Sequence, residues 1–141
     1  MLNARAMVAK PSLLRIAAVA AAIPLVAATR LPTLAETQPG LWEISGVPGA
    51  AYPLRQCVAD IAVLARFEHR AKACNARPVR DGGNSTVIDY NCGTAGFGHS
   101  DVTVVTPRAL RIDTQGISGG LPFNYVLQAH RIGDCPSASR H

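Results

Sequence analysis

The chain has 141 residues and a formal charge of +5, enough for one modest domain and too short for a second sizeable core. Arg5, Lys10, Arg15 and Arg30 all precede Glu36, which leaves 10 basic against 9 acidic residues in the remainder. With that remainder nearly neutral and no basic stripe, aromatic-basic interleaving or recognition-helix pattern, nucleic acid is not an expected partner.

Residues 1–35 have the form of an export signal with its cleavage region, and residues 36–141 are expected to make a single domain. A basic start is followed by an apolar run from Ile16 to Ala28 and then by small residues, the order of a secretory signal. The run covers 13 residues and is interrupted by Pro24, whereas a membrane span takes about 20 apolar residues. No transmembrane span is therefore expected after signal removal. The small-x-small rule allows cleavage after Ala28 or after Ala35, and the second is the expected site. The first cysteine is Cys57, far beyond the apolar run, so lipid attachment is not expected and the product should be periplasmic or secreted.

Thr29 to Gln38 reads as a polar, proline-bearing spacer. Pro39-Gly40 punctuates the chain before Leu41 to Ile44, a first strand with Trp42 and Ile44 on one face. Gly46, Pro48, Gly49 and Pro53 make a loop that delivers the chain to Gln56-Cys57. Val58, Ile61, Leu64 and Ala65 then recur at helical spacing and predict the one short helix. Its charged continuation through Glu68, His69, Arg70 and Lys72 reads as a solvated end, in which cations complement the helix dipole.

Asp81-Gly82-Gly83-Asn84 is a turn signal between two arms, Arg77–Arg80 and Ser85–Cys92. Thr86, Ile88, Tyr90 and Cys92 share the inner face of the second arm. A further hairpin joins Asp101–Thr106 to Ala109–Thr114 through Pro107-Arg108, with Leu110 and Ile112 dry and Arg111 and Asp113 wet. The closing strand runs from Phe123 toward Cys135, with Phe123, Tyr125, Leu127 and Ala129 on one face. The expected fold is mainly β: an antiparallel meander of about six strands, strongly twisted or half-barrel, with one short helix.

In an oxidising compartment four cysteines, Cys57, Cys74, Cys92 and Cys135, imply two disulfides. Their gaps lack metal-ligand spacing, so no metal site is expected. Counting in twos puts Cys92 and Cys135 on the apolar parity of their strands, which predicts a Cys92–Cys135 bridge and leaves Cys57–Cys74 to staple the helix.

Pro39-Gly40-Leu41-Trp42-Glu43, Gln56-Cys57, Cys74, Cys92 and Arg131-Ile132-Gly133-Asp134-Cys135 together resemble the bacterial exported family called domain of unknown function 3617. The resemblance covers Pro39 to Cys135 and implies a small periplasmic protein with a signal peptide and four cysteines. It implies no activity, cofactor or catalytic residue. Relatives often carry a longer, methionine- and glycine-rich loop after the first strand; here that loop is short and no methionine follows Met7, so a thioether metal site is not expected.

Gly96 to Asp101 sets glycines beside His99, Ser100 and Asp101, but in a strand His99 and Asp101 face one way and Ser100 the other, so no nucleophile relay forms. His99 and Asp101 could orient an imidazole for a metal or for proton transfer if His130, the other histidine in a predicted strand, came near. His69 and His141 read as solvated, and Arg66, Arg70 and Lys72 as a wet helix face. Trp42, Tyr125 and Leu127 are core anchors that would also line the concavity of a curled sheet. The expectation is a non-catalytic domain that binds a small apolar ligand there or serves an envelope partner, without a cofactor. The alternative is an enzyme or metal site on His99, Asp101 and His130.

Overall fold

The structure is a computed structural model that describes residues 31–137. The expected export signal lies outside the described residues apart from 31–35, and so does His141. Seven strands, β1 (Gly40–Ser45), β2 (Leu54–Val58), β3 (Asn75–Gly82), β4 (Ser85–Asn91), β5 (Gly96–Thr106), β6 (Ala109–Ser118) and β7 (Leu121–Gly133), form one antiparallel sheet in the order β2-β1-β7-β6-β5-β4-β3. The run from β3 to β7 is the expected meander, and the first hairpin is added on the far side of β7. The sheet does not close into a barrel; β2 and β3 are its free edges.

Alternation builds these strands. In β6, Leu110, Ile112 and Thr114 are buried while Arg111, Asp113 and Gln115 are exposed, so one face packs and the other meets water. The β6–β7 turn holds only Gly119 and Gly120, between the paired Ser118 and Leu121. Both glycines have positive φ, 57° and 82°, as a turn matched to strand twist requires.

The seventh strand is β2, which the sequence presents as loop. It pairs only with β1 and is mostly exposed, so it carries no alternating apolar signal. It also claims Val58, the residue expected to open the helix. What remains helical is one turn, α1 (Ala62–Ala65), started by an Asp60 side chain that accepts from the Ala62 amide at 3.0 Å, followed by a tighter turn over Phe67–His69. The helical spacing still identified inward residues, since Ile61, Leu64 and Ala65 are buried, and Phe67 joins them.

The core joins this helical segment to Trp42 and Ile44 of β1, Val58 of β2, Ile88 of β4, Val102 of β5, Leu110 and Ile112 of β6, and Leu127 and Ala129 of β7. Each large side chain buried here contributes roughly 1.5–3 kcal/mol. Part of the expected spacer belongs to the core as well. Pro32–Leu34 makes a short turn, Leu34 is buried, Leu31 packs beside it, and Thr33 donates to the Ser85 carbonyl at 3.3 Å.

The disulfides are Cys57–Cys135 and Cys74–Cys92, which overturns the pairing expected from strand parity. Two features defeat the count. In β7 a bulge between the partners of Trp42 and Leu41 inserts one residue: Arg131 pairs with Trp42, but Gly133 pairs with Leu41. One extra residue reverses which face the chain end presents. Cys57 lies opposite Leu41 on the other flank of β1, and two residues past Gly133 the chain reaches it, with 5.4 Å between the Cα atoms. At the other bridge, Cys74 immediately precedes β3 and Cys92 immediately follows β4. Because Asn75 pairs with Asn91, the two cysteines form the next rung of that hairpin, 4.1 Å apart at Cα.

Non-reducing peptide mapping should recover Cys57–Cys135 and Cys74–Cys92 fragments; a Cys57–Cys74 fragment would contradict the structure. In the chain-entropy view the longer loop is worth about 4.5 kcal/mol and the shorter about 3 kcal/mol. The Cys57→Ala/Cys135→Ala variant should therefore melt below the Cys74→Ala/Cys92→Ala variant, and both below the parent, in a calorimetric scan.

Candidate binding site

Antiparallel register lines up whole rungs across the meander. Ala76, Tyr90, Gly98, Gly116 and Phe123 form one rung across β3 to β7. Their side chains belong to the inner face, so their backbone forms the floor of a furrow on the outer face. The rungs on either side supply its walls. One wall is Asn75, Asn91, Phe97, Ile117 and Pro122; the other is Arg77, Asp89, His99, Gln115 and Asn124. Together they enclose a groove of about 980 Å³. Alternate rungs are about 6.6 Å apart along a strand, and five strands span about 19 Å, so the groove has the width of a hydrocarbon chain or a ring lying on edge.

Glycine at the two central floor positions has a steric cause. A Cβ on Gly98 would strike the Tyr90 ring, and one on Gly116 would strike the Phe97 carbonyl and the Phe123 ring. Without those carbons the two aromatic rings lie close against the inner surface of the floor. They are backed by His69, whose ring centroid is 5.6 Å from that of Tyr90 and 5.9 Å from that of Phe123. His69 is 3% exposed, a correction to its expected solvation. The Ala95 carbonyl, 3.0 Å from Nε2, can only accept; the neutral ring thus donates from Nε2 and takes the Tyr90 hydroxyl at Nδ1, 3.4 Å away.

The apolar wall is unusually open for residues of its kind. Phe97 is 52% exposed and Leu121, beside Pro122 at the mouth, is 71% exposed. The polar wall is ordered by a different pairing. His99 Nδ1 donates to Asp89 Oδ1 at 2.6 Å, which leaves Nε2 without a protein partner among the described residues. Arg77 reaches the other Asp89 oxygen at 3.9 Å. The carboxylate that orients His99 is therefore Asp89, its cross-strand partner, and not Asp101.

The expected trio of His99, Asp101 and His130 does not assemble. Asp101 pairs with Arg80 at 3.4 Å. His99 shares a rung with Asn124, two strands away, and His130 lies six residues further along β7, about 20 Å away at the rise of a strand. Among the described residues no three His, Cys, Asp or Glu side chains gather as metal ligands. The expected ligand-facing set is corrected too. Trp42 and Leu127 are 0% exposed in the packed interior, and the concavity they were to line is filled by the helical segment. Tyr125 is half-buried, with its hydroxyl donated to Glu68 Oε2 at 2.8 Å. Ser100 faces inward and donates to the Ala65 carbonyl.

Asp89 and the glycine rung are what the sequence reading missed. Asp89 sits between the inward Ile88 and Tyr90, so its outward direction was readable; its meeting with His99 needed the β4–β5 register. Comparison with protein-family models, with curated proteins and with solved structures finds no match to this chain.

Burial pushes the Tyr125 hydroxyl well above the ordinary tyrosine value of 10.0, and its bond to the Glu68 carboxylate pushes it further. Burial likewise raises Tyr90. Both contributions to stability are intact below about pH 10 and are lost above it, because the unfolded tyrosines release protons that the folded ones retain. The urea midpoint should fall steeply above about pH 10. Tyr125→Phe should cost about 1 kcal/mol at pH 7 and make that alkaline decline shallower; an unchanged alkaline slope would show that Tyr125 ionises normally in the fold.

Proposed function

We infer that this chain is an exported, non-catalytic binding domain whose outer-face groove takes the apolar part of a small ligand. The observation that carries this reading is the groove itself: about 980 Å³ beside Phe97, Ile117 and Pro122, with hydrogen-bonding side chains along the facing wall. Small-molecule sites combine these elements, a mostly apolar concavity and a few polar groups that fix orientation. The groups that would serve covalent chemistry are already engaged. All four cysteines are in disulfides, and the Ser100 hydroxyl is bonded on the opposite face.

Export is supported by the two disulfides, which fit an oxidising compartment; among the described residues no helix is long and apolar enough to cross a membrane. Membership in the domain of unknown function 3617 family remains our proposal, and the meeting of its motifs in space supports it. Arg131 Nε donates to the Pro39 carbonyl at 2.8 Å, its guanidinium holds Asp134 at 2.6 Å, and the Gln56-Cys57 cysteine bonds Cys135. The packing of Leu31 and Leu34 favours signal cleavage after Ala28 over Ala35, since the later cut would strip Leu34 from the core. Intact mass of the exported protein should therefore give a mature start at Thr29, and a start at Glu36 would count against it.

The binding reading is tested with straight-chain alcohols on the oxidised protein. Each further methylene that enters the groove is worth about 0.8 kcal/mol, so affinity by calorimetry should rise about fourfold per carbon until the groove is filled. Ile117→Asp, which puts a charge in the apolar wall, should abolish binding while leaving the melting temperature within a few degrees of the parent. An absence of saturable binding, or equal binding by Ile117→Asp, would refute it.

A further inference from the structure

The polar wall of the groove is shared with a second hollow. On the outer face of β5 and β6, His99 stands opposite Gln115, Asp101 opposite Asp113, and Thr103 opposite Arg111, and these six side chains line a recess of about 300 Å³. His99 and Gln115 belong to both hollows, so the recess adjoins the groove across that wall.

The chemistry of the recess is specific about charge. Asp101 and Asp113 face each other across the strand pair, which by itself would be unfavourable. Each is balanced by an arginine, Arg80 to Asp101 at 3.4 Å and Arg111 to Asp113 at 3.6 Å. A carboxylate or phosphate entering the recess would meet two aspartates, and an ammonium would meet aspartates already paired with arginines, of which Arg111 itself lines the recess. A neutral group meets neither penalty. Acceptors and donors also alternate around the recess: the aspartates accept, Arg111 donates, and Thr103 and Gln115 do both. Asp101 Oδ1 is shielded from solvent and has no hydrogen-bond partner among the described residues, while the rest of the same carboxylate is open on the recess side. A group that is uncharged, compact and able to donate and accept at several adjacent positions is a polyol.

We propose that the ligand of this face is a neutral sugar carrying an apolar tail, with the tail in the groove and the sugar hydroxyls in the recess over Asp101 and Asp113. The proposal rests on the groove reading above and assigns the head group of the same ligand. The sugar sits over the Asp101–Asp113 rung, with the His99–Gln115 and Thr103–Arg111 rungs each about 6.6 Å away on either side of it.

The test compares four eight-carbon probes on the oxidised protein, each below its micelle concentration: octyl glucoside, octanol, octanoate and octylamine. Octyl glucoside should bind at least tenfold more tightly than the other three. Asp113→Ala and Thr103→Val, both on the wet face, should each weaken octyl glucoside fivefold or more and leave octanol affinity unchanged; the retained octanol binding also reports that the variants are folded. If octanol, octanoate or octylamine matches the glucoside, or if both variants bind it like the parent, the sugar assignment fails while the groove reading survives. If none of the four binds, both fall together.

Discussion

The pairing of the first strand with the last is the constraint on which the rest of the sheet depends. β1 lies against the second half of β7 and carries Trp42, the largest fully buried side chain. Closing so long a stretch of chain is entropically costly, and contacts this distant in sequence form slowly. The residues at the junction reduce that cost in several ways. Gly40, at φ 151°, lets the backbone pass where a side chain would strike Arg131 and the Gly133 carbonyl. Arg131 holds the Pro39 carbonyl, and Trp42 Nε1 donates to the Gln38 carbonyl at 3.1 Å. The Cys57–Cys135 bridge then constrains the unfolded chain so that the first hairpin is never far from β7.

At Gly46 the chain turns away from β7, its backbone tight against the Val126 carbonyl. The first half of β7 is consequently free of β1, and that is the half that contributes Pro122, Phe123 and Asn124 to the groove. The second disulfide sits at the opposite side of the same groove, one residue from Asn75 and Asn91. Each bridge thus secures one end of the sheet: Cys57–Cys135 where it closes on its first strand, Cys74–Cys92 where β3 would otherwise fray beside the groove.

Direction of side chains was readable wherever a strand ran true. The inward sets of β1, β4, β6 and the middle of β7 follow from alternation alone, because the period of two is imposed by the backbone. What alternation cannot carry is register, and the misses at the disulfides and along the groove trace to it. Ile132 looks like any other strand residue, yet the bulge there turns Cys135 to the opposite face. The Cys74–Cys92 bridge was nearly within reach: extending the first arm back from the recognised Asp81–Asn84 turn brings the two cysteines within one residue of each other, and the bulge at Val79 completes the match. His69 was read from its charged neighbours, but a tight turn after a single helical turn carries it under Tyr90. Asp89 beside His99 and the glycine rung are likewise products of cross-strand register, which a single sequence does not display.

The inner and outer faces use polar residues to opposite ends. A helix of one turn leaves most of its carbonyls without intrahelical donors, and here side chains supply them. Ser100 donates to the Ala65 carbonyl and meets Thr114 at 2.7 Å, Arg70 donates to the Phe67 carbonyl at 3.0 Å, and Arg66 reaches the carbonyls of His69 and Lys72. Ser100 and Thr114 are fully buried, a placement that would be destabilising if they were unpaired and that explains why the centre of the inner face is not wholly apolar. Tyr125 on Glu68 and His69 on Tyr90 extend the same solution. The hydrogen-bonding capacity of the inner face is therefore consumed in holding the helical segment to the sheet. On the outer face, the Asn75, Gln115 and Asn124 amides and His99 Nε2 have no protein partner among the described residues and the aspartates of the recess have one arginine each, and recognition of a ligand belongs on the face whose polar groups are still available.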